Sequence, residues 1–201
     1  MAFFIQQTLV FMIPLMIVAL AGTFSERSGV INLALEGIMI FGAFIGVLFI
    51  KIISDAGLGQ DHAQLLLIIG ILAAMIGGGI FSLLLAVSAI NLKADQTIGG
   101  TALNLLAPAL VMFLIIVITG SNTINTPASL DFMLYRGDIG IPDGKELNLF
   151  EQIFMNKVYL SNWYALGLYI ILSVILYFTK FGLRLRSCGE PPQAADSVGI
   201  N

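Results

Sequence analysis

The sequence predicts an all-α protein that crosses a lipid bilayer about five times. Three observations point there. Hydrophobic residues make up 58% of the 201 residues and charged residues only 10%, against about 25% charged in soluble globular domains. The charges are also segregated: five apolar stretches, 2–22, 30–50, 65–90, 98–119 and 160–179, contain only Glu36 among the nine basic and twelve acidic residues. Each stretch is near or above the roughly 20 residues a helix needs to span a hydrocarbon core of about 30 Å. Finally, none shows the period-two alternation of a membrane barrel, and backbone groups in hydrocarbon must satisfy one another, so all five are predicted helices.

The first stretch, 2–22, has no Lys or Arg before it. It therefore lacks the basic start of a cleavable signal peptide and reads as a retained span. In the second, Asn32 and Glu36 are four apart, which on a helix places them on one face that looks into protein or water. Glu36 is either a functional intramembrane acid or a structural one, bonded to backbone at a broken helix start or paired with Arg27. Gly29 and Gly37 flank the pair and make an unwound start plausible. The third stretch carries Gly70, Ala74, Gly78, Ser82 and Ala86 at steps of four, a stripe without bulk against which another helix packs closely. Gly42 and Gly46 in the second stretch read the same way. In the fourth, Pro108 removes the amide that would bond the carbonyl of Asn104. That kink either lines a path for a polar solute or is a tolerated membrane proline, as Pro14 is in the first stretch.

After the fifth stretch, Lys180, Arg184 and Arg186 crowd one span end, which the positive-inside rule assigns to the cytoplasm. By alternation, Arg27 and Lys93 lie inside as well, whereas the N-terminus, residues 51–64 and the 120–159 loop lie outside. That outer loop, with Pro127, Gly137, Gly140, Pro142 and Gly144, predicts turns and one short helix, and serves either as a docking surface or as a solvated connector. The end of the chain predicts a further short helix. Pro191 suits a first turn, Gly199 a stop, and Ala194, Ala195 and Val198 form a small apolar ridge that fits a cleft in another protein.

The blocks Ser25-Glu-Arg-Ser-Gly-Val-Ile-Asn-Leu-Ala-Leu-Glu-Gly37, Ala94-Asp-Gln-Thr-Ile-Gly-Gly-Thr-Ala-Leu-Asn104 and Gly189-Glu-Pro-Pro-Gln-Ala-Ala195, in that order, resemble the inner-membrane permeases of ABC importers for branched-chain amino acids, ribose-like sugars and nucleosides. The first block is most similar to the nucleoside and simple-sugar branch. The resemblance implies a transmembrane permease domain over 1–201, with a cytoplasmic segment at 180–201 that contains a coupling helix. By that resemblance Gly189, Glu190, Ala194, Ala195 and Gly199 meet the ATPase. Asn32, Glu36 and Asn104, the polar residues read above inside the spans, are the candidates for the solute path. Pro191 departs from the asparagine usual in the family. The implied partners are ABC ATPase subunits, a second permease subunit, an extracytoplasmic solute-binding protein and the bilayer of the cell membrane. ATP and magnesium would sit on the partners, and this chain would bind no cofactor. Family members continue for several further spans, so the resemblance also implies a chain cut short at Asn201.

Other classes fare worse. A formal charge of −3 leaves no basic field for nucleic acid. The single cysteine, Cys188, excludes an internal disulfide and a multi-cysteine metal site. There is no Walker A motif, because Gly144-Lys145 is followed by Glu146, without the hydroxyl that holds magnesium. A membrane-embedded enzyme needs several converging ionisable groups, but the spans offer only Glu36, and His62 falls in an outer loop. An ion-coupled carrier or channel using Glu36 is the remaining alternative, and it gives the Gly189–Ala195 block no purpose.

Overall fold

The computed structural model describes residues 2–57, 62–126, 132–134, 158–190, 192–197 and 199. Helices dominate them: α1 (Ala2–Arg27), α2 (Leu35–Asp55), α3 (Ala63–Ala86), α4 (Gln96–Thr119), α5 (Leu160–Phe178), α6 (Lys180–Gly189) and α7 (Pro192–Ser197). Five of these are long and apolar enough to cross a membrane. The protein is a multi-pass helical membrane protein. Two two-residue strands, β1 (Met133–Leu134) and β2 (Val158–Tyr159), pair antiparallel with Met133 opposite Tyr159. The remainder of the 127–157 loop, including any short helix expected in it, lies outside the described residues.

The chain divides into two compact units, one of residues 1–29 and 132–201 and one of 30–131. In the second unit, α2 packs along α3 and α4. The small-residue stripe works as expected over its first half. A Cβ added to Gly42 would stand 2.9 Å from the Ala74 carbonyl oxygen, and one on Gly46 would stand 2.8 Å from that of Gly70. The two helices therefore meet nearly backbone to backbone, which supplies dispersion contacts that lipid cannot replace. Gly77 adds a contact the stripe did not predict, because a Cβ there would press within 2.7 Å of the Ile45 side chain. Ser82 instead turns its hydroxyl to the Gly79 carbonyl, 2.7 Å away. The core of this unit is Ala34, Phe81, Leu85, Leu103 and Ala107, with Phe41 stacked on Phe81 at 4.7 Å between ring centroids.

A π-helical turn, Val87–Asn91, extends α3 before the short link to α4. Asp95 caps α4, its carboxylate accepting from the backbone N–H of Thr97 at 2.7 Å and of Ile98 at 3.3 Å. Those bonds, Thr97 first, hold its carboxyl below the usual aspartate range. The helix runs on through Pro108.

In the first unit, α1 packs on α5 and α6. Thr179 breaks the chain between α5 and α6. Its hydroxyl donates to the Ile175 carbonyl at 2.6 Å and accepts from the Gly182 amide at 3.2 Å, ending one helix and capping the next. A side chain at Gly182 would overlap the Leu176 carbonyl oxygen. Large apolar side chains stand exposed on every span, among them Leu105 at 78% and Phe178 at 83%, as expected where hydrocarbon or further protein is the solvent.

Two expectations need correction. The second span does not begin as a helix at residue 30: 30–34 is irregular and α2 starts at Leu35. Asn32 and Glu36 therefore do not share a helical face. The physical reason is that Asn32 competes for the backbone, its Oδ1 accepting from the Ala34 amide at 2.9 Å in a local turn. The second correction concerns the apolar ridge near the chain end. Ala195 is only 5% exposed and α7 folds back on α6, so its methyl is buried within this chain. The Ala194 side chain and Val198 lie outside the described residues.

Candidate functional site

The irregular lead-in at 30–34 stands where a spanning helix would otherwise start, so its backbone groups need partners from elsewhere. One face of α4 supplies them. Gln96, Gly100 and Asn104 are spaced by four and lie in line along that helix. The Ile31 amide donates to Gln96 Oε1 at 2.9 Å. The Gly37 amide donates to Asn104 Oδ1 at 2.7 Å. Asn104 Nδ2 donates to the Leu33 carbonyl. Between the two polar residues, Gly100 lets the lead-in approach, since a Cβ there would lie 2.9 Å from the Leu33 Cβ and 3.2 Å from its amide nitrogen. Gly37 does the same from the other side, where a Cβ would lie 2.9 Å from the Leu103 carbonyl oxygen. Both ends of the Asn104 amide are thus committed to backbone.

Asn32 and Asn104 are brought to the same lead-in, but Glu36 is not drawn into that network. It occupies the first turn of α2, exposed, where the helix dipole favours a carboxylate. It makes no hydrogen bond or ion pair to another described residue. Of the three polar residues expected on a solute path, Asn32 and Asn104 bond backbone groups, whereas Glu36 bonds no other described residue. Gln96 and Gly100 had no assigned role from sequence, whereas Gly37 was read with Gly29 as a mark of an unwound start, which the irregular 30–34 segment bears out. The signal was there, as a polar-small-polar repeat of four at the start of an apolar span, but only the tertiary pairing gives it meaning.

The second place of interest belongs to the other unit. Arg186 folds back on the end of α5, its Nε donating to the Gly182 carbonyl at 3.3 Å and its guanidinium lying 5.6 Å from the Tyr177 ring centroid. Beside it an open, polar pocket is lined by Glu26, Arg27, Arg186, Ser187 and Glu190. Gly189 ends α6 and Glu190 follows in extended conformation, exposed. The predicted short helix is present as α7 (Pro192–Ser197), with Gly199 at φ +74° just beyond it and its amide bonded to the Asp196 carbonyl at 2.9 Å. Pro191 lies outside the described residues. Among the described residues, no three of His, Cys, Asp or Glu converge as a metal-binding group.

Residues 4–201 match the family described as the permease component of branched-chain amino acid transport systems. The chain belongs to this family. Two relatives fit the same assignment. The guanosine ABC transporter permease protein NupQ of Bacillus subtilis is 41% identical over 198 residues, 98% of this chain and 59% of that protein. The nucleoside ABC transporter permease protein NupC of Lactococcus lactis is 38% identical over 198 residues, again 98% of this chain and 59% of the relative. The chain thus spans 59% of the length of these two curated relatives. No solved structure matches it.

Proposed function

We propose that this chain is part of the permease subunit of an ATP-binding-cassette importer, and that the solute is a nucleoside. The observation that carries the reading is the identity to NupQ, 41% over nearly the whole chain, and the interrupted start of α2 is compatible with it. Transporters place irregular backbone at membrane depth only where it is held by protein or lines a cavity. Here α4 holds it. Asn32 and Asn104 shape that segment, and Glu36 has a carboxylate to offer a solute. Gly189, Glu190, Ala194 and Gly199 would face the ATPase, with Ala195 supporting α7 from within.

The partners on this reading are two ABC ATPase subunits carrying ATP and magnesium, a second permease subunit and an extracytoplasmic binding protein. The density of Lys180, Arg184 and Arg186 supports a reading in which the α6–α7 end is cytoplasmic, the N-terminus is outside and the bilayer is the cell membrane. The deciding experiment is to purify the permease with its genomic neighbours and identify the ligand that the binding protein retains. A nucleoside, with saturable uptake of that nucleoside driven by ATP, is the expected result. A simple sugar in its place would overturn the solute assignment. Uptake driven by an ion gradient with no ATPase recovered would favour a carrier using Glu36.

A further inference from the structure

We infer that the backbone crossing of Gly29 and Gly189 is the positioning contact through which movement of the segment Glu190–Gly199 reaches the lead-in of α2. The inference rests on the importer reading above. Gly189 closes α6 at the end of α1: a side chain there would overlap the Arg27 carbonyl oxygen, and its Cβ would stand 3.1 Å from the Gly29 nitrogen. From the other side, a Cβ on Gly29 would lie 3.2 Å from the Gly189 Cα and 3.6 Å from the Cys188 carbonyl oxygen. The two chain segments therefore touch backbone to backbone. No side chain stands between them to absorb a displacement by changing rotamer, so a shift of one is felt by the other.

Gly29 also differs from the other described glycines in left-handed conformation. Its φ is +85°, and Gly57, Gly120 and Gly199 share that region, yet nothing lies within 4 Å of a Cβ built on any of those three. Those three only turn the chain. Gly29 turns it against a neighbour. The Gly29 amide bonds the Glu26 carbonyl at 3.1 Å, which fixes it to the end of α1. Two residues later the Ile31 amide is held by Gln96, and the Leu33 carbonyl and Gly37 amide by Asn104. Only Val30 separates the crossing from the first of these bonds, and two residues span at most about 7 Å. A displacement imposed at Gly29 has almost no slack in which to dissipate before it pulls on the lead-in.

The test uses the complete importer, comparing Gly29→Ala with Gly120→Ala. Both place a side chain at positive φ and carry similar backbone strain, but only the first adds a contact. Gly29→Ala is expected to keep assembly with the ATPase and basal ATP hydrolysis, while solute taken up per ATP falls at least about fivefold, the lower end of typical coupling between sites. Gly120→Ala is expected to leave that ratio unchanged. An equal ratio in the two variants overturns the inference. A second measurement leaves the crossing intact: Ile31→Cys, in a background with Cys188 and any other cysteine replaced by serine, is alkylated with and without a non-hydrolysable ATP analogue. A change in rate of at least about fivefold is expected. A rate indifferent to nucleotide overturns the inference even if Gly29→Ala fails to assemble. If no ATPase copurifies with the unaltered permease, the importer reading falls first, and this inference with it.

Discussion

Replacing Asn104 by leucine removes both hydrogen-bonding ends of the amide while keeping the side-chain size close. The change strands two backbone groups, the Gly37 N–H and the Leu33 carbonyl. A buried group left unpaired costs about 1–3 kcal/mol, whereas interhelical side-chain bonds in membranes average about 0.6 kcal/mol. Because Asn104 is only half-buried, the two losses together come to about 1–3 kcal/mol, or about 5–150-fold in the equilibrium for local opening. Hydrogen exchange read by mass spectrometry on the purified protein measures this directly. Peptides that cover 31–37 should exchange faster by that factor, and peptides that cover the Gly70–Gly78 contact should not change. Gln96→Leu supplies the reciprocal case, exposing the Ile31 amide while Gly37 stays protected. If Asn104→Leu changes exchange over 31–37 by less than about twofold, the Asn104 amide is not what holds the lead-in.

Four further outcomes follow from the packing and the caps. Gly46→Leu drives a side chain into the Gly70 carbonyl and should lower stability by about 1–3 kcal/mol or more in thermal unfolding in detergent. Gly79→Ala, where nothing lies within 4 Å, should be neutral or raise stability by up to about 1 kcal/mol through helix propensity. Because the folded state holds Asp95 below its ordinary value, the cap's contribution is present above the unfolded aspartate range, near about pH 4, and is lost as pH falls through the lower folded value. Asp95→Asn caps without titrating and should flatten that acid limb when melting temperature is followed down to about pH 3. Gly182→Ala would overlap the Leu176 carbonyl, so the corner between α5 and α6 should open, read as faster exchange at the Gly182 amide.

The spans were legible because hydrocarbon imposes a length and an exclusion of charge that a linear sequence displays directly. The boundaries were less so. Glu26 and Arg27 belong to the last turn of α1, since a helix end in the polar interface tolerates charge that the core does not. The start of α2 was misplaced by five residues, 30 against Leu35, because apolar composition does not distinguish a helix from an irregular segment whose hydrogen bonds come from a neighbour. The small-residue stripe on α3 correctly predicted a close partner, but it named neither α2 as that partner nor Gly77 as part of the contact.

By itself, then, the sequence determined that this protein crosses a membrane as helices, where its small-residue contact surface lies and, through three short blocks, which permeases it resembles. Those are properties of local pattern, set by the solvent and by the periodicity of one helix. Only the tertiary structure decided that Asn104 is spent on the backbone of residues 33 and 37, that Gln96 and Gly100 are its companions, that Ala195 faces inward, and that Gly29 and Gly189 touch. Each of these depends on which backbone group of a distant segment arrives opposite a given side chain, and no one-dimensional spacing records that.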